Sequence, residues 1–259
     1  MATPTSTPRH SRSGSGAGCP ACATLPICFM GCLTNESRSL LTPCVTESRF
    51  VKGDCLLREG SVAQHLSIVK LGAVLISRQC EDGHDHPVAL VGRGMTLGEY
   101  AVYGHDEQIS ASALSAGRIC RLEVTDFYRL GVVDRRFHAC VQDRIVRSHG
   151  RLADWSRVMR IKGVKQRLLA TLQLYAREQG GGTIRLPSHM ALASLLSTTR
   201  ESIGRSLRQL EISGHIVRHD RWHCEVPGTG LGATRVAGRR RKTPPGNCPL
   251  VEAGLRPSR

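Results

Sequence analysis

The sequence predicts an α+β protein made of an all-β sandwich or barrel, one long helix and a C-terminal winged helix-turn-helix. Three observations predict it. Short strand-like runs punctuated by glycine fill residues 45 to 125, a helical period runs from about 134 to 160, and a helix–turn–helix–hairpin pattern follows up to 226.

The β part reads RFVKGDCLLREGS, HLSIVKLGAVLISRQ, PVALVGRGMTLGEY, ISASAL and RICRLEV. Runs of four to eight residues with turn signals between them suit a sandwich or barrel. Gly53, Gly60, Gly72, Gly83, Gly94 and Gly98 fall between the runs, where turns call for positive φ. His84-Asp85-His86 reads as a polar hairpin loop rather than a metal site.

The long helix carries apolar or small residues at Phe137, Val141, Ile145, Ser148, Leu152, Trp155 and Met159. This heptad-like seam with charged flanks is expected to pair with a second copy of the helix, making a homodimer. A further helix, Val164 to Glu178, stops at the glycines 180–182. The strand TIRLP, the helix SHMALASLLS, the helical TTRESIGRSLRQLEISGH with Gly214 as its stop, and the hairpin IVRHDRWHCEV complete the winged unit.

The expected organisation is a disordered arm over 1–18, a cysteine segment over 19–32 and a β domain over 33–130. The pairing helix follows over 131–160, the winged domain over 161–226 and a disordered basic tail over 227–259. The net charge is +15, of which residues 160–226 and the tail each carry +6, so positive charge gathers where phosphates would be met. No apolar run reaches membrane-spanning length and no secretory leader opens the chain, so a cytoplasmic protein is expected. No Ser/His/Asp or paired-carboxylate constellation stands out, and an enzyme is not expected.

In a helix-turn-helix, the first residues of the second helix face base edges in the major groove. Here these are Thr198, Thr199, Arg200, Glu201, Gly204 and Arg205. Arginine can donate twice to guanine, and a carboxylate can accept from cytosine. Gly204 is otherwise a poor helix residue, and close approach of DNA would explain it.

Residues 18–32, GCPACATLPICFMGC, hold four cysteines. Scattered thiols elsewhere, at 44, 55, 80, 120, 140, 224 and 248, make a secreted disulfide framework an unsuitable reading. Thiolate clusters hold zinc or iron–sulfur groups, and the segment alone does not decide between them.

Over roughly residues 19–226 the chain resembles the Crp/Fnr transcription regulators. FVKGDCLLREGS…IVKLGAVLIS…GRGMTLGEY resembles their cyclic-nucleotide-binding-type β jelly roll, and TTRESIGRSLRQLE their recognition helix. The resemblance implies a homodimer that binds palindromic double-stranded DNA promoter sites and works with RNA polymerase, activating or repressing. Ser197 and Ala191 depart from the family pattern in the turn, where glycine and a polar residue are usual. The nucleotide-binding branch follows Gly-Glu-Leu by Arg-Ser or Arg-Thr. This chain has Gly98-Glu99-Tyr100 and then Ile109-Ser110, so a cyclic nucleotide is not the expected effector.

The oxygen-responsive branch, typified by the fumarate–nitrate reductase regulator, holds a [4Fe–4S] cluster on a C-x2-C-x5-C triplet and a later cysteine. Cys19, Cys22 and Cys28 match that spacing, and Cys120 stands where the fourth ligand is expected, with Cys32 as the alternative. The resemblance thus implies oxygen-controlled DNA binding. Control by zinc, by thiol redox or by no cofactor, and an iron–sulfur electron-transfer protein, are the competing readings. Leu152 replaces a repelling acid of the oxygen-sensing branch. Arg200-Glu201-x-x-Gly204-Arg205 is closer to the catabolite activator's reading set, which implies TGTGA-like half-sites.

Overall fold

A computed structural model describes residues 18–227 other than 82, 84 and 180. Residues 1–17 of the expected arm, 228–259 of the tail and His84 of the expected loop lie outside the described residues.

The chain opens on the cysteine segment, a run of turns ending in the short helix α1 (Phe29–Cys32). A second helix, α2 (Asn35–Leu41), follows where the sequence was expected to enter the β domain at once. Its start is a polar cap, in which Thr34 Oγ1 accepts the Ser37 N–H at 3.1 Å.

Eight strands then build the sandwich: β1 (Thr46–Phe50), β2 (Cys55–Leu57), β3 (His65–Leu71), β4 (Val74–Gln79), β5 (Asp85–Val91), β6 (Thr96–Leu97), β7 (Ser110–Ala113) and β8 (Gly117–Glu123). They form two four-stranded antiparallel sheets, ordered β1-β8-β3-β6 and β2-β7-β4-β5. All six turn glycines have positive φ, from 74° to 113°. Gly72 also needs its missing side chain, because a Cβ there would sit 2.8 Å from the Phe50 ring.

The short helix α3 (Val124–Arg129) leads to α4 (Arg135–Met159), whose N-cap Asp134 accepts the Phe137 N–H at 2.7 Å. The head comprises α5 (Val164–Gln179), β9 (Thr183–Arg185), α6 (His189–Leu195), α7 (Arg200–Ile212), β10 (Val217–Arg218) and β11 (His223–Glu225). Its three strands pair in the order β10-β11-β9. Gly214, at φ +70°, ends α7 as anticipated, with its N–H on Glu211 O at 3.0 Å. The α+β fold is therefore a β-sandwich, a long helix and a winged helix-turn-helix. No described helix is long and apolar enough to cross a membrane.

Two cores hold these parts together. The larger runs from the sandwich interior through Trp155 and Val158 of α4 into the head, as far as Val226. The smaller joins Phe29 and Met30 of α1 to Leu41, Phe127, Phe137, Cys140 and Val141. This packing corrects the pairing seam read from the sequence at Phe137, Val141 and Trp155. Phe137, Val141 and Trp155 are fully buried within their own chain, while Ile145, Ser148, Leu152 and Met159 are half-buried. A 3.5-residue period marks a face that packs, without saying whether the partner is the same chain or another. The exposed side of α4 instead carries Ala139, Gln142, Val146, His149, Ala153 and Ser156, again at alternating three- and four-residue steps.

Between α6 and α7 lies Ser197, with φ 47°, the only described non-glycine residue in the left-handed region. The family usage of glycine there has this physical cause, since a Cβ in that conformation costs about 1–2 kcal/mol. Replacing Ser197 by glycine is expected to raise stability by up to about 1 kcal/mol, read as a higher urea midpoint at unchanged m-value.

Candidate thiol site, effector cavity and nucleic-acid interface

Turn bonds hold part of the cysteine segment's main chain, among them Cys22 N–H on Cys19 O at 3.1 Å and Leu25 N–H on Cys22 O at 2.9 Å. Arginines supply donors to other carbonyls in and beside the segment. Arg38 Nε and Nη2 donate to Met30 O at 3.0 Å and Leu33 O at 3.1 Å. From α4, Arg144 Nη1 reaches Ile27 O at 2.9 Å and Arg136 Nε reaches Cys32 O at 3.1 Å. Arg93 donates to Ala23 O and to Thr24 Oγ1. The guanidinium fork suits this work because it offers several donors in a fixed plane.

Held in this way, Cys19, Cys22, Cys28 and Cys120 line one cavity, with Glu47, Ile68, Lys70 and Leu122 from β1, β3 and β8 on its floor. Its enclosed volume is about 50 Å³. Cys120 pairs with Glu47 and Ile68 across β8, which brings a thiol about ninety residues distant in sequence beside the N-terminal three. Cys32 does not line the cavity; it lies on the far side of α1 beside Cys140 of α4.

Burial dominates the thiols. It pushes Cys28 up to about 11 and Cys120 up to about 12, and raises Cys19, with the neighbouring Cys22 adding to the shift. Lys70 opposes this at Cys19 and Cys120, although its ammonium is already paired with Glu47 at 2.5 Å. Thiolates here need a bound cation to offset their charge. Among the described residues, no three metal-ligating side chains converge on a point that holds a single ion. Four thiols lining one cavity are a donor set of the kind that holds zinc or an iron–sulfur cluster. The remaining described thiols do not join them. Cys140 and Cys224 are buried, Cys55 and Cys80 are exposed, and Cys44 is half-buried beside Arg129. Cys248 lies outside the described residues.

A second cavity separates the sandwich from α4. It is lined by Arg78, Glu99, Tyr100, Glu107, Ile109 and, from α4, Ile145, Ser148 and Leu152. Glu99 is buried and its carboxyl is pushed up to about 8, first by desolvation and then by Glu107. Desolvation pushes Glu107 up to about 7. The sequence reading singled out Glu99 and Ile109 but missed Glu107, which carries no motif.

On the head, Thr199 Oγ1 caps α7 by accepting the Ser202 N–H at 3.2 Å. Arg200, Glu201 and Arg205 project from its first turns into solvent, while Thr198 is half-buried with its N–H on Ala193 O at 2.9 Å. A Cβ on Gly204 would meet only His189 Nδ1 at 4.0 Å, so internal packing does not account for this glycine. The structure adds residues that the sequence reading did not name. Arg208 extends the exposed face of α7, and Arg200 shares a groove with Arg218 and Arg221 of the wing. Arg221 stacks 5.0 Å from the Trp222 ring centre. Three arginines around one groove form a phosphate-binding footprint.

A sensor-type sandwich joined by a long helix to a basic, helix-presenting head defines a DNA-binding transcriptional regulator. The cyclic nucleotide-binding domain family matches residues 47–131, and the Crp-like helix-turn-helix domain family matches 166–227. The chain is a Crp-family regulator. Solved structures of similar fold include FixK2 from Bradyrhizobium japonicum, 18% identical over 71% of this chain and 93% of that one, with a TM-score of 0.61. A putative cyclic nucleotide binding protein from Ruegeria pomeroyi is 20% identical over 81% and 94%, with a TM-score of 0.56. The c-di-GMP responsive regulator CLP of Xanthomonas campestris is 19% identical over 74% and 99%, with a TM-score of 0.53. Comparison with curated proteins returns no significant match.

The buried acids give a pH signature. A carboxyl raised from an ordinary 4.5 to about 7 or 8 holds its proton more tightly in the folded state. The associated stability is present below the unfolded value and is lost as pH rises through the folded one. Thermal stability is therefore expected to fall between about pH 5 and 8, and Glu107→Gln to flatten that fall, as read by melting at several pH values.

Proposed function

We propose that this regulator binds palindromic promoter DNA as a homodimer, and that a [4Fe–4S] cluster on Cys19, Cys22, Cys28 and Cys120 controls that binding. The observation that carries this reading is the meeting of those four thiols at one cavity while Cys32 faces elsewhere. Such a cluster supplies an oxygen-sensitive, thiolate-bound iron centre.

The chain's own residues provide the transmission. Cys28 caps α1, its sulfur accepting the Met30 N–H at 3.3 Å, and the next residue, Phe29, packs edge-on against Phe137 of α4 at 5.6 Å. Order in the thiol segment therefore bears directly on the position of α4. The exposed stripe from Ala139 to Ser156 is the dimer surface in this reading, because its helical spacing continues along one free face of α4 and Ala139, Ala153 and Ser156 on it allow close approach. Arg200, Glu201 and Arg205 read bases, with Arg218 and Arg221 on phosphates.

Protein purified without oxygen is expected to contain iron and sulfide in equal amounts and to lose both in air. Cys120→Ser should abolish this content and Cys32→Ser should retain it; the opposite pattern assigns the fourth position to Cys32. Equal dimerisation and DNA affinity with and without the cluster would refute the control mechanism.

Binding-site selection is expected to return TGTGA-like half-sites one helical turn apart, and recovery of TTGAT half-sites would overturn that assignment. Arg200→Ala should weaken specific binding by about 1–3 kcal/mol, roughly 5- to 150-fold, in gel-shift titrations. Gly204→Ala should stabilise the fold by about 0.5–1 kcal/mol while weakening DNA binding, a combination that a purely structural glycine would not give.

A further inference from the structure

The cavity between the sandwich and α4 has the wrong chemistry for an anion. Its two carboxylates, Glu99 and Glu107, are 8% and 1% exposed. Glu107 Oε1 has no hydrogen-bond partner, an orphaned acceptor in a buried place. The nearby arginines are engaged elsewhere. Arg78 pairs with Glu59 at 3.1 Å, Arg144 with Asp143 at 3.3 Å, and Arg151 with Glu178 at 3.0 Å. Ile109, Ile145 and Leu152 make the remaining wall apolar, and Tyr100 adds an aromatic ring.

A phosphate placed here would meet two acids, and the one arginine that lines the cavity, Arg78, is already paired with Glu59. A neutral ligand would leave Glu107 Oε1 unanswered unless it brought a donor. An ammonium group answers both acids, and its alkyl substituents suit the apolar wall and the ring face. We infer that this cavity binds a small organic cation, an ammonium on a short apolar body, held by the carboxylates of Glu99 and Glu107. The site is separate from the thiol cavity, and its occupant would touch α4.

The acids must ionise to bind a cation, so binding releases protons. The charged and titratable groups facing them are Arg78 from β4, Tyr100 from the β6–β7 connection, and Arg144, His149 and Arg151 from α4. For a cation whose own charge does not titrate, affinity therefore rises from pH 6 to 8 and then levels, as the carboxyls held at about 7 and 8 lose their protons.

The test is titration calorimetry on the full-length protein with choline, its neutral carbon isostere 3,3-dimethylbutanol, and cyclic AMP as the anionic control. Choline is expected to bind, more tightly at pH 8 than at pH 6, with neither control competing. Glu107→Gln should lower choline affinity at least about tenfold, the scale of one charge-assisted contact. Ile109→Arg, which leaves both acids in place, should abolish binding even if the Gln variant folds poorly. Silence with choline at about 10 mM, which would expose even millimolar affinity, overturns the proposal. Equal binding of the alcohol, binding of cyclic AMP in preference to choline, or full affinity in Glu107→Gln also overturns it. None of these readouts involves iron or DNA, so failure here leaves the proposed regulatory reading untouched.

Discussion

The contact on which the thiol side of the molecule depends is the packing of Phe29 onto the Phe127–Phe137 pair. The ring centres lie 6.2 and 5.6 Å from Phe29, and the two partners lie 4.9 Å apart. Tilted and edge-on aromatic pairs of this kind add about 0.5–1.5 kcal/mol each beyond the area they bury. That matters because the cysteine segment has no strand or long helix to hold it. Its main chain is held by local turn bonds and by arginine side chains, and Phe29 and Met30 are its most deeply buried side chains. Without this ring contact, Cys19, Cys22 and Cys28 would lose their main anchor opposite Cys120.

The same ring contact marks one end of α4, which runs on from there to the head. At 1.5 Å per residue, Phe137 and Trp155 stand about 27 Å apart along its axis. Its first turns, at Arg136, Phe137, Cys140 and Arg144, meet the thiol segment. The middle, at Ile145, Ser148 and Leu152, walls the acidic cavity. The last turns, at Arg151, Trp155 and Val158, join the head, with Arg151 bridging to Glu178 of α5. One rigid element thus touches each part of the protein that has a chemical task. The buried face that allows this is the face that the sequence suggested for a second subunit.

The strand-rich run, the six turn glycines and the helix–turn–helix–hairpin of the head were legible because each rests on local rules. A turn needs positive φ, a helix needs a cap, and a hairpin needs a short loop. The four thiols were legible as a set through spacing and resemblance, and the β8 register gives that set a physical basis by placing Cys120 opposite Glu47 and Ile68. What escaped was non-local. Glu107 and the wing arginines Arg218 and Arg221 become significant only through neighbours far away in the chain. Phe137, Val141 and Trp155 of the α4 seam were misread for the same reason, since periodicity identifies a packed face and leaves its partner unnamed. The capped start of α2 at Thr34 was readable in principle, but its seven residues carry too little apolar period to stand out.

Two cavities against one helix set a limit on any control mechanism. Whatever binds at either place can shift the DNA-reading state only by the difference in its affinity for the two positions of α4. The thiol cavity acts on the first turns through Phe29, and the acidic cavity acts on the middle through Leu152 and Ile145. Because α4 moves as a unit when its hydrogen bonds stay intact, the two inputs add in free energy when they favour the same position and cancel when they do not. The buried Trp155 then carries the outcome to the head. A fully buried indole cannot leave its pocket without cost, since removing so large a side chain from a core costs about 3–5 kcal/mol. Movement of α4 against the sandwich must therefore carry the head with it, and in the proposed control the core that stabilises the fold is also the linkage.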